Sequence, residues 1–398
     1  MKQKLKGNVF LLSMVSLFTD TSSHMIYPLL PEFLSSIGAT KTIIGIIEGI
    51  AESIASLLRS VFGALSDKLN KRKEFVFWGY ALSAITKPFL FIANSWLIVL
   101  FVRFSDRIGK AVRTPPRDAI LSTSVESSKQ GAAFGFNRAM DRMGAIWGPL
   151  LAVMILAMFS DKALGMRYVF LWSLLPAVIA LIFIPFVKET GEFIKKQREM
   201  KYEGLKSGRF ILFIVAAIIF SLGNSSNSFL ILKARDTGLT NIAMIPVLWI
   251  VYNISSSFFS IVLGKLSDKI GRARIVAFSF LFYGLLYVGF AFANKLYMIW
   301  ILFFLYGVYY GLSEGIYRAY IAQIVEPDKR ATAFGIFNTG IGIVLLPASI
   351  ITGVIWDKWG SVWAFNLCAL FSFLALIIFG IHLLMERKNR ILKTARHE

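Results

Sequence analysis

Charged and titratable side chains recur at helical spacing inside runs that are otherwise apolar, and these are the residues whose types could do chemistry. At about 100° per residue, Ser13, Ser16, Asp20, His24, Tyr27 and Pro31 fall on one narrow helical face. Arg103, Asp106, Arg107, Lys110, Arg113 and Arg117 occupy under half of a second circumference, and Arg138, Asp141 and Arg142 cluster on a third. Glu48 and Glu52 stand one turn apart on a fourth. Like charges at that spacing repel, and a low dielectric then favours a proton on one of them. A carboxyl poised in that way can carry protons; alternatively, either glutamate pairs with a cation from the arginine-bearing segments. Asp20, Asp106 and Asp141 complete the carboxylates that could couple to protons. The cations outnumber the nearby acids, so an anionic or zwitterionic small molecule could supply the missing negative charge. A structural network among Asp106, Asp118, Asp141 and the arginines meets the same need. Asp20 and His24, at i and i+4, offer a divalent metal only two ligands, too few for a site. No metal is expected, and His24 reads as a cavity residue.

The elements that must position these groups are helices in lipid. Hydrophobic residues make up 56% of the 398-residue chain and charged residues only 17%, against roughly a quarter in soluble domains. Mean hydropathy is +0.66, so a soluble globular fold is excluded. Candidate spans of about 20 mostly apolar residues lie at 8–34, 42–66, 75–94, 96–123, 132–159, 168–187, 209–232, 244–266, 275–294, 296–324, 332–356 and 362–385. The apolar run after Met1–Lys6 is too long for the core of a signal peptide and reads as the first span. A charge at bilayer depth costs at least about 2.5–3.5 kcal/mol. The charged stripes should therefore face one another or a wet cavity. The net charge of +20 sits mainly in the short gaps between spans, which argues for positive-inside bias and against nucleic acid. The single Cys368 excludes an internal disulfide.

With the N-terminus inside, alternation puts 25 Lys and Arg in inside segments and 7 outside. Both termini are therefore expected in the cytoplasm, in the inner membrane of a bacterial or archaeal cell. The polar stretch from Lys188 to Arg209 divides the chain, and the halves repeat. Gly63-Ala-Leu-Ser-Asp67-Lys recurs as Gly264-Lys-Leu-Ser-Asp268-Lys, 201 residues on. Ala133-Phe134-Gly135 recurs as Ala333-Phe334-Gly335, and Asn94 as Asn294, both 200 residues on. The expected fold is an all-α membrane protein of about twelve transmembrane helices in two six-helix pseudo-symmetric bundles. Its units are 1–187, a cytoplasmic linker at 188–208, a second bundle at 209–385 and a basic tail at 386–398.

The two glycine–aspartate loops resemble the signature G-x-L-x-D-(R/K)-x-G-(R/K) of the major facilitator superfamily. Here they read Gly63, Leu65, Asp67, Lys68, Asn70, Lys71, followed by Arg72, and Gly264, Leu266, Asp268, Lys269, Gly271, Arg272. Asn70 replaces a glycine, and Asn is the next-best residue for a left-handed turn. The resemblance implies that these loops brace the cytoplasmic gate. Gly135-x8-Gly144-x3-Gly148-Pro149 resembles the antiporter motif of the drug/proton-antiporter branch, although Ala152 and Val153 stand where its last two glycines would be. Arg103, Gly109 and Ala111 match part of another motif of that branch, R-x-x-Q-G-x-G-x-A, with Asp106 and Arg107 in place of Gln and Gly. The resemblance implies that Arg103 assists proton coupling and that the protein works as a monomer.

The second half carries few charges in its spans, chiefly Glu314 and Arg318, and offers amides and aromatics instead: Asn224, Asn227, Asn253, Tyr306, Tyr310, Tyr317 and Asn338. The run from Asn224 to Ser228 is expected to loosen its span. The first half is expected to titrate and the second to recognise, with His24, Tyr27, Arg107, Arg138, Arg142, Asn224, Asn227, Tyr310, Glu314 and Asn338 lining a substrate cavity. The function expected is proton-coupled export of a small organic, drug-like solute by alternating access, with protons and the lipid bilayer as further partners. The alternative is a proton symporter or uniporter for uptake. A polytopic enzyme would need a nucleophile or base beside partners, and no such constellation occurs; a receptor is a third class. No P-loop pattern supports ATP drive, and no cofactor is expected.

Overall fold

Each apolar run becomes helix because lipid offers backbone amides no partner, so they must bond within the segment. The computed structural model describes residues 7–190, 208–313, 315–327 and 329–394, with no strand among them. The first half holds α1 (Asn8–Ile26), α2 (Leu30–Ser36), α3 (Lys41–Leu69), α4 (Arg72–Thr86), α5 (Trp96–Thr123), α6 (Gln130–Ala157), α7 (Lys162–Trp172) and α8 (Leu174–Phe183). The second holds α9 (Gly208–Gly223), α10 (Ser228–Asp236), α11 (Met244–Ile270), α12 (Arg272–Phe292), α13 (Leu296–Ser313), α14 (Ile316–Ile324), α15 (Arg330–Trp359) and α16 (Ser361–Thr394). Among the described residues nine helical stretches are long and apolar enough to cross a membrane. The exceptions are α3 and α5, which carry charges noted above, and α4, which is only 15 residues long.

Four of the expected spans are broken into two helices, the sixth span at Ser173 between α7 and α8. The first run parts into α1 and α2 around Pro28, which cannot donate into the preceding turn. The seventh parts into α9 and α10 across 224–227, the polar run that the sequence marked. The tenth parts between α13 and α14 beside Gly315. At the C-terminus the helix runs on to Thr394 rather than ending near 385, because Glu, Arg, Lys and Leu in 386–394 are good helix formers. Residues 191–207 of the expected linker lie outside the described residues.

Both glycine–aspartate loops form tight turns. Asn70 has φ 55°, and Gly271 has φ 101° at the equivalent point. Asp67 holds Arg72 at 2.7 Å, and Asp268 holds Arg272 at 3.0 Å. Lys71 pairs outward with Glu74. The first loop is tied to the end of its own half: the Lys73 amide donates to Glu189 at 2.9 Å, and Lys73 Nζ donates to the Pro185 carbonyl at 2.6 Å. Gly63 packs against Pro115, whereas a Cβ at Gly264 would meet nothing within 4 Å among the described residues. The loops therefore brace their own halves in this conformation.

Small residues let helices touch. A Cβ at Gly148 would lie 2.9 Å from the Met25 amide, and one at Gly144 would lie 2.9 Å from the Asp20 Cβ, so α6 rides directly on α1. Helix α6 stays continuous through Pro149. Gly135 has no neighbour within 4 Å and takes no part in that contact. Between the halves, α3 packs on α15 and α6 on α11. A Cβ at Gly49 would sit 3.0 Å from the Leu346 Cα.

The two ends differ. At the end remote from Asn8 and Lys188, Asp357 of α15 caps the start of α3. It accepts from the Lys41 and Thr42 amides at 3.0 and 2.8 Å and from the Thr42 hydroxyl at 2.6 Å. Glu32 and Arg235 pair there across the halves at 2.8 Å. At the termini end Leu65, Phe134, Phe258 and Ile261 remain exposed, and a Cβ at Gly135, Gly264 or Gly335 would meet nothing within 4 Å among the described residues. The halves are thus closed at the far end and parted at the termini end. Loss of a helix cap is worth about 0.5–2 kcal/mol, roughly a 2- to 30-fold change in population. Asp357→Ala should therefore speed labelling of a Tyr27→Cys reporter, in a Cys368→Ser background, by a membrane-impermeant maleimide added at the far side. Unchanged labelling would show that this cap does not hold the far end shut.

Candidate functional site

Charge buried beside lipid needs partners within the protein, and the charged stripes of α1, α3, α5 and α6 converge on one cavity of about 530 Å³ between the halves. Asp20, His24 and Tyr27 reach it from α1 and its end, Glu52 from α3, and Arg103, Asp106 and Arg107 from α5. Arg138, Asp141 and Arg142 reach it from α6. Asn227 and Tyr310 face them from the second half. Glu314 lies outside the described residues.

Glu48 and Glu52 do not share a site. Glu48, 1% exposed, receives Arg103 in a two-pronged pair, Nε to Oε1 at 2.9 Å and Nη2 to Oε2 at 2.6 Å. It sits behind Arg103 rather than on the cavity wall. Glu52 lines the cavity and takes Arg107 at 3.2 Å. The structure thus realises the pairing alternative, because α5 lies against α3 and sets an arginine opposite each glutamate. Arg103 also lies over the Tyr27 ring at 5.5 Å.

Deeper along α5, Arg113 donates to Ser83 Oγ at 2.6 Å and lies over the Tyr80 ring at 4.5 Å. Arg117 binds Asp118 at 2.8 Å and Ser16 Oγ at 3.0 Å. Asp106 approaches Arg107 only to 3.9 Å, and its Oδ1 is buried without a hydrogen-bond partner, as is Oδ1 of Asp141. Asp20 and Asp141 line the same cavity, and Asp141 feels the Asp20 charge. Arg142 reaches across to Ser256 at 3.1 Å.

The second half supplies aromatic faces. Trp249 Nε1 donates to His24 Nδ1 at 3.0 Å across the halves. An imidazole nitrogen that accepts carries no proton, so the His24 proton sits on Nε2. Trp249 lies 4.7 Å from Tyr252 and 5.1 Å from Tyr27 between ring centroids, and Tyr252 lies 5.3 Å from Tyr310. Asn227, at the break between α9 and α10, accepts from Tyr306 at 2.6 Å.

Two expected cavity residues lie elsewhere. Asn224 accepts from Tyr283 at 3.3 Å inside the second half, because the break turns it toward α12. Asn338 meets α3 instead, its carbonyl accepting from Ser56 at 3.0 Å. Sequence reasoning missed Lys87, Arg59, Trp249 and Tyr252, all on the cavity wall. Lys87 had a signal: a lone lysine at bilayer depth, which the structure sets against Ser22 at 2.5 Å. The two aromatics had none, since Trp and Tyr face lipid as readily as a cavity.

Removing one partner of a buried ion pair costs about 3–5 kcal/mol, because the other charge is left stranded. Glu48→Gln or Arg103→Gln alone should therefore lower the melting temperature of the purified protein strongly. The double variant should lose less than the two singles summed; strict additivity in this cycle would deny the pair its energetic coupling.

Comparison with known proteins accords with this geometry. The family model described as Major Facilitator Superfamily matches residues 10–252 and again 212–398. An uncharacterized MFS-type transporter of Methanocaldococcus jannaschii is 37% identical over 365 residues, 89% of each chain. The multi-drug resistance efflux pump PmrA of Streptococcus pneumoniae is 26% identical over 286 residues, covering 68% of this chain and 69% of the pump. The crystal structure of a D-xylose–proton symporter superposes with a TM-score of 0.77 at 13% identity, covering 93% of this chain and 96% of that one, a likeness of fold. The repeated halves, the paired glycine–aspartate turns and the central charged cavity are those of an integral membrane transporter, and the chain belongs to the major facilitator superfamily.

Proposed function

We propose that this transporter exports a small organic solute in exchange for protons, rocking its two halves about the central cavity as a monomer in the inner membrane, with both termini cytoplasmic. The observation that carries the reading is the cavity itself: carboxylates and solute-binding groups share one space, closed at the far end and parted at the termini end. A solute entering from the cytoplasm would meet Asn227, Tyr310 and the Trp249 face on one side and the charged wall on the other.

Asp20 and Asp141 are the better-placed proton carriers. Glu48 is held by both prongs of Arg103, whereas Asp141 has an oxygen with no donor and Asp20 for a neighbour. Two carboxylates within reach of each other are relieved by one shared proton. A solute that displaces this proton, or is displaced by it, couples the two fluxes. The likeness to an efflux pump and the α1–α6 contact through Gly144 and Gly148 support export. Arg103 would act by holding α3 and α5 in register.

In proteoliposomes holding a pH dye, a panel of anionic, neutral and cationic naphthalene derivatives should include one that moves protons in the opposite direction to itself. Asp20→Asn and Asp141→Asn should cut that proton movement by about tenfold or more while probe exchange persists. Movement in the same direction would make the protein a symporter, and undiminished coupling in both variants would remove these carboxylates from the mechanism.

A further inference from the structure

The cavity wall carries more positive charge than the protein neutralises. Ten arginines and lysines line it, against five carboxylates among the described lining residues. Adding Glu48 behind Arg103, and allowing one more for Glu314, leaves a surplus of three. Most of these cations are occupied by the pairs and rings described above. Four are not fully met among the described residues: Arg59, Arg318, Lys110 and Arg107, of which Lys110 and Arg107 are the two whose charge reaches His24 beside the aromatic wall. Lys110 makes no hydrogen bond or ion pair among the described residues, and the charge it feels most strongly is the like charge of Arg107. Arg107 spends one nitrogen on Glu52, and its Nε is buried without a hydrogen-bond partner, with Asp106 no nearer than 3.9 Å. His24, with its proton on Nε2, lines the same space and feels both cations. Facing them are the rings of Trp249, Tyr252 and Tyr27.

We infer that the solute is an organic anion with a planar apolar body, its acidic group held by Lys110 and Arg107 and its body against Trp249 and Tyr252. The inference rests on the transport reading and names the substrate class for that same cavity. A cation would add to a surplus that already repels it. A bare inorganic anion would meet the charge and leave the aromatic wall wet, whereas a planar ring covers that wall. A carboxylate, sulfonate or phosphate ester gives the two cations charge-assisted hydrogen bonds. The volume, about 530 Å³, falls within the range of drug-sized sites.

The test is equilibrium binding to the purified, full-length protein, read by tryptophan fluorescence, with three probes of one shape: naphthalenesulfonate, naphthalenemethanol and naphthylmethylammonium. The sulfonate should bind about tenfold or more tightly than either of the others. Lys110→Gln should cut sulfonate binding by about tenfold and leave naphthalenemethanol within about twofold, which also reports that the variant is folded. Trp249→Leu, read by calorimetry, should weaken all three. The inference is overturned if the ammonium binds as tightly as the sulfonate in the unaltered protein, a comparison that needs no variant. It is also overturned if Lys110→Gln weakens the neutral and anionic probes alike, or if inorganic phosphate binds as tightly as the sulfonate. No gradient is involved, so selective sulfonate binding without movement in vesicles would refute the transport reading alone. Proton-driven movement confined to the ammonium would refute the anion alone.

Discussion

A charge that cannot reach water must be met by the protein, and the arrangement of this molecule follows from that constraint. Helices α3 and α5 carry ionised groups at depths where lipid would penalise each one severely. They lie against each other so that Arg103 meets Glu48 and Arg107 meets Glu52. Helices α1 and α6, held together through Gly144 and Gly148, bring Asp20 and Asp141 to the same space. The lipid face is then left to apolar side chains, and the wet cavity becomes the one place where the remaining charge can be tolerated.

The two halves answer this constraint differently although they share a pattern. The first is stitched by ions; the second is stitched by rings, with Tyr283, Tyr287, Tyr306 and Tyr309 stacked behind the cavity wall. A ring stack gives a firm surface with few charges to satisfy, suited to holding a solute by shape. An ionic wall responds to the arrival of a proton or an anion. Between them the Trp249–His24 hydrogen bond joins the walls.

Alternating access requires contacts that can be made and released at each end. At the far end these are a carboxylate on two backbone amides and one ion pair, interactions that water can replace when the end opens. The close backbone approach of α3 to α15 at Gly45 and Gly49 lies on the same side. The glycine–aspartate loops at the termini end are bonded within their own halves.

The all-helical membrane class and the internal repeat were legible in the sequence, because lipid imposes length and apolarity on a crossing and because the repeat preserved Asp67 and Asp268 at one spacing. The left-handed turn at Asn70 and the loosened helix at Asn224–Asn227 were legible for a local reason: backbone preference depends on the residue itself. Which glutamate meets which arginine was not. Helical phase placed Glu48 and Glu52 on one face, but only the packing of α5 against α3 decided that one would be locked behind the wall and the other left upon it. The same holds for Asn224, a polar residue at cavity depth that turns to a neighbouring helix, for Asn338, which is not on the cavity wall, and for Trp249 and Tyr252, whose membership of the site depends on which way α11 faces. A sequence records each side chain's chemistry; the rotation of a helix against its partners, set by packing over the whole molecule, decides what that chemistry meets.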